Sequence, residues 1–90
     1  MAKRTFTNHE ALEIGERIGV DWKIVDLDQF RMGLAVELEH GSQNPDLNVT
    51  GDNTLTTGRI ALAHLREVKD YYTRLAKMEA EAEAEAKVDA

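Results

Sequence analysis

The residues of this chain that could do chemistry together are two histidines and two glutamates at helical spacing. Glu37 and His40 lie three residues apart, and His64 and Glu67 repeat that spacing in reverse order. Residues three apart occupy adjacent positions on one helix surface. If the two segments pack as antiparallel helices, the pairs can face each other. Imidazole and carboxylate groups from facing helices are ligands that hold zinc, manganese or iron in bundle cores.

The same residues have two other interpretations, and the spacing does not choose among them. Glu37 falls on an apolar stripe with Leu34 and Leu38, and a carboxylate on a core-facing stripe needs a partner. Glu37, His40 and His64 can therefore form a metal-free hydrogen-bonded network. In the third interpretation the two pairs do not meet. A divalent transition metal is thus one hypothesis for this cluster, and no other cofactor is predicted.

Catalytic machinery of the common kinds is not visible in the sequence. Cysteine is absent, which excludes disulfides, thiolate zinc sites and iron–sulfur clusters. No serine stands in a nucleophile elbow, and no glycine-rich phosphate loop is present. The loop at residues 46–52 alternates oxygen-bearing side chains like the first half of a calcium loop, but Thr57 stands where the bidentate Glu belongs. A network of Asx turns is the expected structure of that loop.

The first predicted helix has readable signals at both ends. Thr7 and Glu10 stand at the spacing of a capping box, in which each side chain accepts a hydrogen bond from the other residue's backbone. Apolar positions then follow on one face over residues 8–18. Gly19 suits the left-handed position that closes a helix.

Two further helices are predicted to carry the Glu and His pairs. Asp26 and Gln29 repeat the capping spacing ahead of a helix at residues 27–40, which is expected to end at Gly41. Apolar residues then recur every three or four positions over residues 55–78, which predicts a third helix.

The predicted fold is all-α: a small three-helix domain over residues 5–78 followed by an acidic tail at 79–90. The tail alternates Glu and Ala, so that Glu79 and Glu83 are like charges four residues apart. We expect the third helix to fray into this tail. With 90 residues in all, one domain is the limit.

Charge and hydropathy exclude several function classes. The net charge is −6, and residues 1–78 carry ten Lys or Arg against twelve Asp or Glu. A nearly neutral body with an acidic tail offers no footprint for a phosphate backbone, so nucleic acid binding is not expected. No run of 18 apolar residues and no secretion signal is visible, which predicts a cytoplasmic protein without a membrane association.

Three aromatic residues are candidates for contact with a partner. Trp22 lies in the short turn after the first helix and is expected to seal the core edge. Tyr71 and Tyr72 are adjacent, so a helix cannot point both inward. One should anchor the core, and the other should cover an edge or meet a partner or a second copy of the chain.

At this point three stretches of the sequence carry a resemblance: FRMGLAVELEHG at residues 30–41, IALAHL at 60–65 and DYYTRL at 70–75. Together they resemble a family of short domains of unknown function found in bacteriophages and bacteria, over roughly residues 5–78. The positions that match the family pattern are Glu37, Glu39, His40, His64, Glu67, Asp70, Tyr71, Tyr72 and Thr73.

The resemblance implies a helical fold and a phage source but supplies no reaction. Lys69 departs from the family pattern, which has Pro there. With Pro the third helix would be two pieces; with Lys69 it can run through, and a break near Val68 stays the alternative. A phage-encoded protein would work in the host cytoplasm or in the virion.

Two functions are therefore expected from the sequence. The first is a small helical accessory or interaction module without catalysis, associated with phages. The alternative is a metal-binding domain with Glu37, His40, His64 and Glu67 as ligands, a remnant of a hydrolase or a redox protein.

Overall fold

The residues described by the computed structural model are 5–43 and 54–89, with the side chains of 40–43 and 87–89 left aside. Within these ranges the chain forms four helices and no strand, which confirms the all-α class. The helices are α1 (Asn8–Ile18), α2 (Leu27–Gln43), α3 (Thr54–Glu67) and α4 (Tyr71–Asp89).

Helix α1 has the bounds and both end signals that the sequence predicts. The backbone N–H of Glu10 donates to Thr7 Oγ1 at 3.1 Å, and the backbone N–H of Thr7 donates to Glu10 Oε1 at 3.0 Å. Gly19 closes the helix in the left-handed conformation, with φ of 80°. A residue with a Cβ would be strained there.

Helix α2 begins as predicted and ends later than predicted. The Asp26 carboxylate accepts the backbone N–H of Gln29 at 3.1 Å, which caps the first turn. The predicted end at Gly41 is wrong, because the helix continues through that glycine to Gln43. Glycine permits the left-handed conformation but does not impose it.

The single third helix predicted for residues 55–78 is wrong: the structure has the alternative, a break near Val68, so the predicted three helices are four. Helix α3 ends at Glu67 and α4 begins at Tyr71. Between them the N–H of Tyr71 donates to the carbonyl of Val68 at 3.1 Å, which closes a tight turn around Lys69. No glycine or proline lies in this turn. The break between α3 and α4 must therefore result from the packing of α4 rather than from the local sequence.

Helix α4 also extends beyond the predicted end at residue 78 and continues to Asp89. Its side chains from residue 76 to residue 86 are all exposed. None of the described helices combines the length and the apolar character needed to cross a membrane.

The core lies between α1, α2 and α3, and Tyr72 is its one buried residue among the described side chains of α4. At its edge the Trp22 ring meets Phe30 edge-on, with ring centroids 5.7 Å apart, and it lies directly over Gly15, where a Cβ would overlap it. Trp22 therefore seals the core edge as predicted. The buried apolar residues are Phe6, Ala11, Val25, Phe30, Leu34, Leu38, Ala61, Leu62, Leu65 and Tyr72.

Candidate functional site

The site centres on the carboxylate of Glu37, which α2 carries one turn after Gly33. Its side chain is 11% exposed, so it lies at the edge of the core. Glu37 Oε2 accepts a hydrogen bond from the Tyr72 hydroxyl at 2.8 Å and lies 3.5 Å from His64 Nε2. Helices α2, α3 and α4 thus each contribute one polar side chain to the same point.

The imidazole of His64 is held by the two tyrosines of α4. Its ring stacks on Tyr71 with centroids 4.3 Å apart and planes 2° from parallel. Tyr72 meets it edge-on at 6.2 Å. The side chain of His64 remains 35% exposed, so this ring forms the outer side of the cluster. Stacking fixes the plane of the imidazole and aims Nε2 at Glu37.

Tyr72 enters the core through a gap between two small residues. A Cβ on Gly33 would overlap the Tyr72 ring and would lie 3.0 Å from the Cβ of Ala61. Only a glycine at position 33 leaves room for the ring at this distance. Tyr72 is consequently 2% exposed although its hydroxyl reaches a carboxylate.

A second attachment holds the first turn of α4 on the start of α2. The Gln29 side chain accepts the backbone N–H of Tyr72 at 3.1 Å and donates to the Thr73 hydroxyl at 2.5 Å. The sequence predicted Gln29 as part of a cap for α2. Its side chain satisfies instead one of the free N–H groups at the start of α4.

The sequence does not indicate that Gln29, Gly33 and Thr73 help to attach α4 to α2. Gly33 was visible as a small residue on the apolar stripe of α2, a signal of close approach. No sequence signal joins Gln29 to Thr73, because the two are 44 residues apart.

The environment of Tyr72 strongly favours its neutral form. Burial raises the pKa of the Tyr72 hydroxyl, and the negative charge of Glu37 and the hydrogen bond to it raise that pKa further. Tyr72 therefore stays a hydrogen-bond donor to the carboxylate at any physiological pH.

Of the four predicted metal ligands, the structure brings two together. Glu37 and His64 face each other, Glu67 is exposed on α3, and the side chain of His40 lies outside the described residues. Within the part of the chain that is described, no group of three or more His, Cys, Asp and Glu side chains is placed to hold a metal. The four-residue metal site stays a prediction.

The three predicted partner residues occupy different positions. Tyr72 is the core anchor and Tyr71 the edge residue, which is the division that their adjacency predicted. Trp22 is partly buried against the core, and its Nε1 is buried without an acceptor among the described residues. Of the three, Tyr72 has no surface to offer a partner. The loop at 46–52, for which Asx turns are predicted, lies outside the described residues.

Comparison with known proteins identifies the family. Residues 11–81 match the sequence profile described as Protein of unknown function (DUF5661). The chain belongs to this family. The match runs from within α1 to within α4 and includes the Glu37 cluster, that is Glu37, His64, Tyr71 and Tyr72. It confirms the resemblance to a short helical family of unknown function. No curated protein and no solved structure gave a significant match.

The two tyrosines offer a matched test of the cluster. We expect Tyr72→Phe to lower the free energy of unfolding by about 1–2 kcal/mol, because it removes the tyrosine donor from the largely buried Glu37 carboxylate. Tyr71→Phe removes a hydroxyl for which the described residues show no hydrogen bond, and it should cost less than about 0.5 kcal/mol. Urea unfolding of both variants measures the difference. Equal losses would contradict a role for the Tyr72–Glu37 bond.

The raised pKa of Tyr72 also predicts a loss of stability at high pH. An unfolded tyrosine ionises near pH 10, whereas the folded Tyr72 does not, so the unfolded state becomes more favourable as the pH rises above that value. The contribution of Tyr72 to the free energy of unfolding is fully present below pH 10, and it falls by up to about 1.4 kcal/mol per pH unit above that value. Unfolding free energies of the wild type and Tyr72→Phe, measured from pH 8.5 to 11, should converge. Parallel curves would contradict the assignment.

Proposed function

We propose that this domain is a non-catalytic accessory module that presents α4 to a protein partner. One observation carries the proposal: the side chains capable of chemistry are used to anchor α4. Glu37 and His64 contact the two tyrosines in the first turn of that helix. These polar groups serve to fix the position of α4.

The exposed part of α4 is the surface that this anchoring supports. Past Leu75, which packs on the core, the side chains of residues 76–86 are exposed. The overall dimensions of 45 × 29 × 22 Å reflect this elongation. A helix that buries no face of its own is marginal in water, and like charges four residues apart weaken it further. A partner that covers this segment would stabilise it.

The exposed segment has a composition suited to a protein surface with basic groups. It carries Met78, which is 57% exposed, and four glutamates at alternate positions from Glu79 to Glu85. An apolar contact flanked by negative charge favours a partner groove of opposite charge. The phage association implied by the family resemblance is part of this proposal, and the host or virion proteins are then the source of the partner.

A crosslinking pair tests the proposal. A photoreactive amino acid at Met78 should capture a specific protein from the cells that make this chain, and an excess of unmodified protein should compete it away. The same group at Glu16, exposed on α1, is the control. Because only α4 is proposed to contact the partner, the control should give no such product. Identical products from both positions, or none from Met78, would refute the proposal.

Metal binding is a second candidate, and the distance between Glu37 and His64 favours it. Two ligands of a tetrahedral zinc ion lie about 3.4 Å apart, given zinc–ligand bonds of about 2.1 Å. Glu37 Oε2 and His64 Nε2 are separated by 3.5 Å. The hydrogen bond from Tyr72 would orient the carboxylate, as outer partners of metal ligands do. His40, one helical turn after Glu37, is the proposed third ligand, and Glu67 the fourth.

Thermal melts with chelator and then with zinc, manganese or iron(II) test this candidate. A bound metal should raise the melting temperature by more than about 5 °C, since metal affinity becomes folding free energy. His64→Ala should abolish the rise, whereas His9→Ala, on the exposed side of α1, should leave it unchanged. Elemental analysis without bound metal, together with unchanged melts, would rule the candidate out.

A further inference from the structure

The turn between α3 and α4 has the properties of a hinge that can open. It consists of Val68, Lys69 and Asp70, and a backbone bond from the Tyr71 N–H to the Val68 carbonyl at 3.1 Å closes it. None of the three is a glycine or a proline, so each can adopt helical dihedral angles. If they do, α3 and α4 become one helix from Thr54 to Asp89.

The local sequence favours that open form. Apolar positions recur at helical spacing through the turn, which is why the sequence predicts one continuous helix there. Asp70 and Arg74 are joined by an ion pair at 2.7 Å and lie four residues apart, so a continuous helix keeps the pair. The Arg74 hydrogen bond holds the pKa of Asp70 below its ordinary value.

In the open form Tyr72 loses its position in the core, and a second copy of the chain offers an identical position. The attachments of α4 lie in its first turns. Tyr72 binds Glu37 and fills the Gly33 gap, and Gln29 binds Thr73, all of which join α4 to α2.

The Tyr71 ring stacks on His64 of α3, and Leu75 packs on the core. An α4 that has left its own core can make all of these contacts on the α2 and α3 of another chain.

The hinge also exposes an apolar side chain. Val68 is 37% exposed and is one of three large apolar residues left open in the described residues. Two opened chains that exchange α4 bring their hinges side by side, where the Val68 side chains can cover each other. Exchange between identical chains usually requires a short hinge and a helix that can make the same contacts on another copy.

We propose that α4 is exchanged between two copies of this chain. In the exchanged dimer Tyr72 of each copy occupies the Gly33 gap of the other, and each Glu37 cluster is completed by both chains. The inference goes beyond the proposed function, because it concerns the first turns of α4, whereas the proposed partner covers the exposed side chains of residues 76–86. It adds that the site is built from two chains.

A mixture of two single-cysteine variants detects the exchange directly, since the natural chain has no cysteine. Gln29→Cys and Thr73→Cys place thiols at two positions whose side chains touch. When the two purified variants are mixed at high concentration, exchange should yield an interchain disulfide that joins positions 29 and 73, identified by mass. A mixture of Gln29→Cys with Lys77→Cys, exposed one turn further along α4, is the matched control and should give little product.

A substitution in the hinge separates exchange from other association. Lys69 is the second residue of the turn, where proline fits well, and no backbone hydrogen bond of the Lys69 N–H is present among the described turns. In a continuous helix, proline at that position would break the helix. Lys69→Pro should therefore lower the yield of disulfide and the dimer fraction by at least about tenfold, while Lys69→Ala should not.

Each outcome bears on one proposal. A dimer in light scattering together with the disulfide between positions 29 and 73, both lost in Lys69→Pro, supports exchange. A monomer at all concentrations up to about 1 mM, or a dimer that is insensitive to Lys69→Pro, overturns it. A monomer leaves the proposed function standing, because crosslinking from Met78 in cells tests that function independently.

Discussion

The structure depends on the need to satisfy one carboxylate at the edge of an apolar core. Glu37 lies on the stripe that α2 turns toward the core, and a buried carboxylate without hydrogen bonds is strongly unfavourable. The Tyr72 hydroxyl supplies a bond at 2.8 Å. Because that tyrosine stands in the first turn of α4, this bond to Glu37 determines where α4 must lie. The chain therefore breaks after Glu67 although its local sequence would let the helix continue.

Close packing makes this arrangement selective. The tyrosine ring fits because position 33 has no Cβ, and the histidine ring is oriented because it stacks on Tyr71. Polar groups buried in this way add little net stability, since desolvation offsets most of the gain. They make other positions of α4 unfavourable, because an α4 packed elsewhere would deprive Glu37 of the hydrogen bond from the Tyr72 hydroxyl. The cluster thus specifies a position for α4 more than it stabilises the core.

The core helices and α4 have separate roles, which connects the structure to the proposed function. Helices α1, α2 and α3 form the core, and the first turns of α4 are attached to it by a small number of polar bonds. The rest of α4 is exposed and acidic. A domain that uses its reactive side chains to hold a helix in place is best understood through the surface that this helix presents. The proposed exchange of α4 between identical chains depends on this small number of attachments.

The sequence by itself determined the helical class, α1 with both of its caps, the start of α2, and the division of Tyr71 and Tyr72 into one edge residue and one anchor. These features depend on neighbours within about four residues, which the sequence displays directly. It also placed Glu37 and His64 in a set of four residues, with His40 and Glu67, that could meet. Only the tertiary structure decided that α3 and α4 are separate helices, that Gln29 reaches Thr73, and that Tyr72 is the donor to Glu37. Those side-chain contacts join residues 35 to 44 positions apart, and no local pattern encodes which distant donor will fill a buried acceptor.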